Sequence, residues 1–339
     1  MRALLVVNPK ATTTSERSRD VLVRALRTEI DLRVEVTRRR GHGADLARQA
    51  VAQGLDVVVA LGGDGTVNEV VNGLLYAGND GKGRAGGKDD TAARGGSSSR
   101  SSTADKSSSR GASLPALAVV PGGSTNVFAR ALGLPRDVVE ATGAILEAMD
   151  NGRTRSVGLG KADGRYFTFC AGLGLDAEVV RKVERARLRG KVSTPGLYIR
   201  STVTQFFLET ERRVPLITLE RPGEDPEIDL ATVVVQNTAP WTYIGNRPVN
   251  ACPDASFDSG LDLLAMRALH VPATALAVTK ILTGSRPKPH GRQMMTLHDL
   301  SAFTLSSARP LAFQVDGDYL GERTKVAFTA LPDAVRVFC

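Results

Sequence analysis

Short, unbroken apolar runs alternate with amphipathic stretches through the first third of the chain, and that alternation leaves few folds open. Residues 3–7, 32–37, 57–61 and 117–120 read as strands. Between them, residues 15–28, 44–53 and 67–75 carry apolar side chains at helical spacing, as at Val67, Val70, Val71 and Leu74. Another helix starts near Thr125. Continuous apolar strands separated by helices predict a parallel sheet covered on both faces. In such sheets ligands gather beyond the carboxyl ends of the strands. Three turns fall there: after Val7, after Leu61 and after Val120.

The pattern changes twice. Residues 77–113 are dominated by Gly, Ser, Arg, Lys and Asp, and cannot bury enough apolar surface to order themselves. They read as a disordered surface insertion. From about residue 151 the chain turns mainly to strand, at 167–172, 228–236, 261–265, 312–315 and 335–338, punctuated by Pro and Gly. Residues 179–207 are the exception and read as largely helical. The expected organisation is an α/β domain over 1–150 and a mainly β domain over 151–339, whose last strand is able to return to the first.

The first of the three turns with chemistry in it is Gly62-Gly63-Asp64-Gly65-Thr66, which closes a buried strand and opens a helix. Glycines let the backbone turn sharply and approach a ligand, and the N–H groups of a helix start suit phosphate. Asp64 beside them is placed to reach a Mg²⁺ on phosphate oxygens. Pro121-Gly122-Gly123-Ser124-Thr125-Asn126 repeats the logic at the next strand end, and Asn8-Pro9-Lys10-Ala11-Thr12 lies at the same edge. No GxxxxGK[ST] loop occurs, which disfavours a Walker-type ATPase. Asp316-Gly317-Asp318, between apolar strands, carries the signal of a hairpin turn.

Together these blocks resemble the diacylglycerol kinase catalytic family, which includes sphingosine and ceramide kinases and bacterial lipid kinases. The resemblance rests on Asn8-Pro9-Lys10, residues 62–69 (GGDGTVNE), 121–130 (PGGSTNVFAR), 172–179 (GLGLDAEV), 237–246, 255–262 (ASFDSGLD) and 315–318 (VDGD). It implies an N-terminal parallel-sheet nucleotide domain of NAD kinase-like form, a C-terminal β-sandwich-like domain and an active site in the cleft. It implies ATP and Mg²⁺ as cofactors and a lipid hydroxyl, most of all that of diacylglycerol, as acceptor. ATP would contact Asn8, Pro9, Lys10, Ala11, Thr12, Thr37, Gly62, Gly63, Asp64, Gly65, Thr66, Val67, Asn68 and Ser124. Asp316, Asp318 and Asp64 would be catalytic, with Asp316 or Asp318 as the base. The family's usual second acid is Glu, where this chain has the shorter Asp318. Its frequent Asp after Thr-Asn is Val127 here. A second, structural metal site would fall on Ser256 and Asp258, where a plain β-turn fits equally well.

Composition bounds the setting. The net charge of +8 suits anionic partners, but no interleaving of aromatic and basic residues supports nucleic acid. The three cysteines are far apart and form no CxxC pair, which disfavours a disulfide framework or zinc site and fits a cytoplasmic protein. No run approaches the ~20 apolar residues of a spanning helix, so membrane contact is expected to be peripheral, with the cations between Arg181 and Lys191 as candidates. Trp241 and Tyr243 could line a lipid entrance or simply sit under a loop. Edge strands in the second half would allow a homodimer. An NAD kinase-type phosphotransferase and a non-catalytic nucleotide- or lipid-binding regulator remain open at this point.

Overall fold

The computed structural model describes residues 1–9, 11, 16–84, 114–188, 216–267 and 293–339. β1 (Arg2–Val7) lies parallel between β2 (Asp31–Val36) and β3 (Val57–Gly62), and β3 pairs in parallel with β4 (Ala116–Pro121). β3 and β4 are buried along their whole length, as continuous apolar strands must be when both faces are covered. The helices are α1 (Glu16–Glu29), α2 (His42–Ala52), α3 (Asp64–Arg84), α4 (Val127–Ala131) and α5 (Val138–Asp150). Thus α3 runs past Tyr76 into the stretch whose composition suggested an insertion; residues 85–113 lie outside the described part.

The second half is strand-rich: β5 (Thr154–Ala162), β6 (Arg165–Phe167), β7 (Cys170–Leu173), β8 (Ile217–Glu220), β9 (Glu227–Leu230) and β10 (Thr232–Gln236) come first. β11 (Thr242–Ile244), β12 (Arg247–Val249), β13 (Leu261–Met266), β14 (Met294–Leu300), β15 (Ala302–Val315) and β16 (Asp318–Phe338) follow. The helix expected over 179–207 is α6 (Leu175–Leu188); the remainder falls outside the described residues. Among the described residues one mixed sheet runs β14-β13-β10-β7-β15-β16-β4-β3-β1-β2. β16 joins the two regions: its early residues pair with β15, and Val337 pairs in parallel with Leu117 of β4. Val335, Val337 and Phe338 are therefore buried in the same core as β1, β3 and β4, while Phe303, Phe313 and Phe328 centre a second core. The fold is α/β, with a parallel N-terminal sheet and a strand-rich C-terminal region.

Two expected strands are broken. Residues 228–236 divide into β9 and β10 at Ala231, whose N–H donates to Met266 instead of continuing the β9 ladder. Residues 167–172 divide at Thr168 and Phe169, whose amides turn towards the Asp316 carboxylate. That break is held from behind by buried Asn237. Its Nδ2 donates to Gly158 O at 2.9 Å and Thr168 O at 3.0 Å, and its N–H to Phe169 O at 2.9 Å. Asn237→Ala strands two buried carbonyls and is expected to cost about 2–4 kcal/mol; a urea midpoint equal to that of the parent chain would show that the break holds without it.

Candidate active site

The glycine turns stand side by side because their strands do. Asn8 N–H donates to Leu61 O at 3.0 Å, and Gly122 N–H to Gly62 O at 2.8 Å, which extends the parallel ladder into the loops. Asn8 Nδ2 reaches Thr66 Oγ1 at 3.0 Å. A Cβ on Gly123 would lie 2.6 Å from Gly63 Cα, so the two turns touch through bare backbone, and a side chain there would force them apart. Asn126 closes the second turn: Gly123 N–H donates to its Oδ1 at 2.8 Å, and its Nδ2 donates to Gly123 O at 2.7 Å. Thr37 N–H donates to Val7 O, which places Thr37 at the same edge.

Other residues of the expected nucleotide set part company here. Gly65 and Ser124 are exposed at the mouth, Gly62 and Gly63 form the turn floor, and Pro9 and Ala11 follow Asn8. Val67 instead packs in the core, with no side chain to offer a ligand. Asn68 is fully buried, its side chain turned towards the acid loop and away from the glycine turns. Lys10 and Thr12 lie outside the described residues.

Asp64 opens α3, and its Oδ1 accepts from Phe128 N–H at 3.1 Å at the start of α4. Burial pushes its carboxyl up to about 6, against the hydrogen bonds from the amides of Val127 and Phe128. Such a carboxylate fits a divalent cation: a buried negative charge gains most from a positive partner, and Mg²⁺ is commonly held by one or two carboxylates together with substrate phosphates. Among the described residues no group of three or more His, Cys, Asp and Glu side chains is gathered to hold a metal on its own. At the expected second metal site, Ser256 and Asp258 have protein partners. Asp258 pairs with Arg155 at 2.6 Å, and Ser256 Oγ accepts from Asp258 N–H, which ties the turn.

The acid turn joins β15 to β16, with Asp316 and Gly317 at φ +48° and +78°. Asp316 is only 6% exposed. Its Oδ2 accepts from Asn68 Nδ2 and Thr168 N–H, each at 2.7 Å, and from Thr168 Oγ1 at 2.9 Å. Its Oδ1 accepts from the N–H groups of Phe169 at 3.0 Å and Cys170 at 3.1 Å. Burial nevertheless holds its carboxyl above the usual range. This is an anchor with its acceptor positions already filled, and little remains for a substrate proton. Asp318 differs. Its side chain is 26% exposed and pairs with Arg40 at 3.1 Å and Arg165 at 3.6 Å. Gln314 steadies the turn from below: its Oε1 accepts from Gly317 N–H at 3.0 Å, while its Nε2 donates to Asp176 at 2.6 Å.

Val127 stands in an apolar cluster with Phe169, Cys170, Trp241 and Tyr243. Tyr243 lies beneath the Arg130 guanidinium, 3.1 Å from its ring centre, and within electrostatic reach of Asp64. An acid in place of Val127 would be buried among these side chains. His42 accepts from Arg38 N–H within its own turn. On α6, Arg181 pairs with Glu178 and Glu322, so this member of the basic segment is already neutralised; Arg189 and Lys191 lie outside the described residues. No helix among the described residues is long and apolar enough to cross a membrane. Arg40 and Arg165 carried no local signal in the sequence; their partners are far away along the chain.

The raised Asp64 value has a thermodynamic sign. Because it lies above the ordinary 3.8, the folded chain takes up a proton between about pH 4 and 6 that the unfolded chain does not, and this contribution to stability is lost as pH rises through 6. Asp64→Asn removes the buried charge and is expected to stabilise the unliganded chain by about 1–3 kcal/mol at neutral pH, with a smaller gain at lower pH. Urea midpoints at the two pH values check this; a variant weaker than its parent at neutral pH contradicts it.

Comparison with known proteins follows the same lines. The model of the diacylglycerol kinase catalytic domain matches residues 2–162. The diacylglycerol kinase of Bacillus subtilis (strain 168) is 26% identical over 285 residues, covering 83% of this chain and 77% of that protein. The diacylglycerol kinase of Staphylococcus aureus (strain MRSA252) is 26% identical over 332 residues, covering 95% and 87%. A crystal structure of a putative diacylglycerol kinase from Bacillus anthracis str. Sterne superposes with a TM-score of 0.71 at 20% identity, covering 99% of this chain and 96% of that one, a likeness of fold. The likeness throughout is to diacylglycerol kinases: residues 2–162 match the model of their catalytic domain, and relatives of that name align along most of the chain.

Proposed function

We propose that this chain is an ATP-dependent kinase that phosphorylates a lipid hydroxyl, with diacylglycerol as acceptor and phosphatidic acid as product. The observation that supports this most is the meeting of two distant motifs. Asn68, one turn into the helix opened by Asp64, donates to Asp316, 248 residues further on. This contact supports a reading in which the phosphate cradle and the acid turn serve one cleft. The relatives' name, diacylglycerol kinase, points to the same acceptor.

In this reading the start of α3 receives phosphate at a helix N-terminus, and Thr66, Asn8 and Ser124 frame the mouth. Asp64 would hold Mg²⁺, which when bound neutralises charge on the phosphate oxygens. Asp318, the more exposed acid, takes the acceptor's hydroxyl proton. The bond from that oxygen to phosphorus forms as the bond from phosphorus to the departing ADP oxygen breaks. Asp316 fixes the turn and takes no proton. Val127, Phe169, Trp241 and Tyr243 set an apolar wall beside the acids, which suits an acceptor with hydrocarbon attached. The reading includes peripheral contact with the membrane where such an acceptor resides, and liposome flotation of the full chain tests that part.

The main test is incubation with labelled ATP and separate diacylglycerol, sphingoid base, ceramide and NAD, followed by solvent extraction. Label is expected in the organic phase with diacylglycerol. Asp64→Ala and Asp318→Asn are each expected to lower transfer by about 100-fold or more, while Asp316→Asn should act chiefly on stability. Label on NAD would replace the lipid acceptor with a dinucleotide, and no label anywhere would leave a binding protein without catalysis. Full transfer by Asp318→Asn refutes its role as base.

A further inference from the structure

Asp318 sits at the tip of a turn, directly after Gly317, with its side chain partly in solvent. Such a carboxylate on its own would sample several rotamers. Here two guanidiniums meet it, and both engage the same oxygen: Arg40 Nη2 lies 3.1 Å and Arg165 Nη2 3.6 Å from Asp318 Oδ2. Both arginines are tied to α3, Arg165 through its guanidinium and Arg40 through the backbone of its turn. Arg165 Nη2 donates to Asn68 Oδ1 at 2.6 Å. Arg40 belongs to the turn before α2, where Glu69 accepts from Gly41 N–H at 2.6 Å and from Gly43 N–H at 2.9 Å. Arg40 is also steadied by Glu184 of α6 at 2.9 Å. Asn68 and Glu69 are neighbours in the segment that follows the phosphate turn, so adjacent residues fix the two cations by separate routes.

We infer that Arg165 and Arg40 are a clamp that holds Asp318 in the cleft, and that α3 aligns this clamp with its own phosphate-binding end through Asn68 and Glu69. The inference rests on the reading of Asp318 as the base. Because both cations take Oδ2, Oδ1 is left to receive the hydroxyl proton. Arg165 and Arg40 are positioning residues: they act through the acid, and they tie its location to the helix whose start receives the phosphate. Arg165 suits this role because one end of its rigid, always-charged guanidinium, Nη2, meets both Asn68 and Asp318, and an ammonium on a flexible stem is held there less well. Exposed ion pairs contribute little to stability, so the clamp acts on reaction geometry, where small displacements of a reacting group are costly.

The test uses single-turnover and steady-state kinetics on the full chain with ATP and diacylglycerol. Arg165→Met is expected to lower kcat about 10- to 100-fold while leaving KM for ATP unchanged. Arg165→Lys, which keeps the charge, should recover part of the loss, and Arg40→Met should show a smaller one. In the Asp318→Asn background, Arg165→Met should have no further effect, because its target is gone. Losses that multiply in the double variant would mean that Arg165 acts elsewhere and would overturn the clamp, as would an unchanged kcat in both arginine variants. If the parent chain transfers phosphate to none of the acceptors, the kinase reading fails by itself. The clamp is then read from the ¹³Cγ NMR line of Asp318: a line that moves in Arg165→Met shows the pairing, and an unmoved line overturns it.

Discussion

A buried carboxylate organises this protein. Asp316 enters an apolar interior with a charge whose unpaired burial would be prohibitive, and it is tolerated because donors from two separate segments converge on it. Three amides come from the Thr168–Cys170 break, one hydroxyl from Thr168 and one side-chain amide from Asn68. The cost of leaving any of these groups unsatisfied is what ends β6 early and restarts the strand as β7. The same bonds pin the start of α3, and with it the glycine turn, against the hairpin from the far end of the chain.

The acids of the cleft consequently divide their work by environment. Asp316 and Asp64 are both pushed upward by burial, yet Asp316 is surrounded by donors while Asp64 stands at the touching glycine turns. Asp318, two residues from the anchor, faces the opening and meets guanidiniums. The turn explains the split: regular strand pleating would put residues two apart on one face, but the positive φ of Asp316 and Gly317 breaks that register and leaves one acid inward and the other at the rim. Val127 adds an apolar wall close to these charges. It is seated among Phe169, Cys170, Trp241 and Tyr243, and there a hydrophobic residue is the cheaper occupant.

Much of the fold was legible because its signals are local. The apolar runs of β1, β3 and β4 have no other use than burial, and the helical spacing in α1 to α3 is a property of neighbouring residues. The glycine turns were readable for the same reason, since Gly62, Gly63, Gly122 and Gly123 must lie between those strands and helices. Local signals end where a partner far along the chain decides. Residues 167–172 look like a single strand until Asp316 claims their amides. Val67 and Asn68 continue a phosphate motif in sequence, yet the helix turns them away from the mouth, one into the core and one onto the acid. The partner of Asp258, Arg155, is likewise far away along the chain.

The sequence by itself therefore determined the parallel sheet, the position of the phosphate turns and the likeness to diacylglycerol kinases, because short-range periodicity and turn chemistry encode these. Only the tertiary structure decided which acid is an anchor and which is exposed, and which of the many arginines attend it. Those outcomes depend on burial and on contacts across long separations, such as Asn68 with Asp316 and Arg40 with Asp318. Desolvation and long-range pairing are properties of the assembled cleft, and no window along the chain contains both partners.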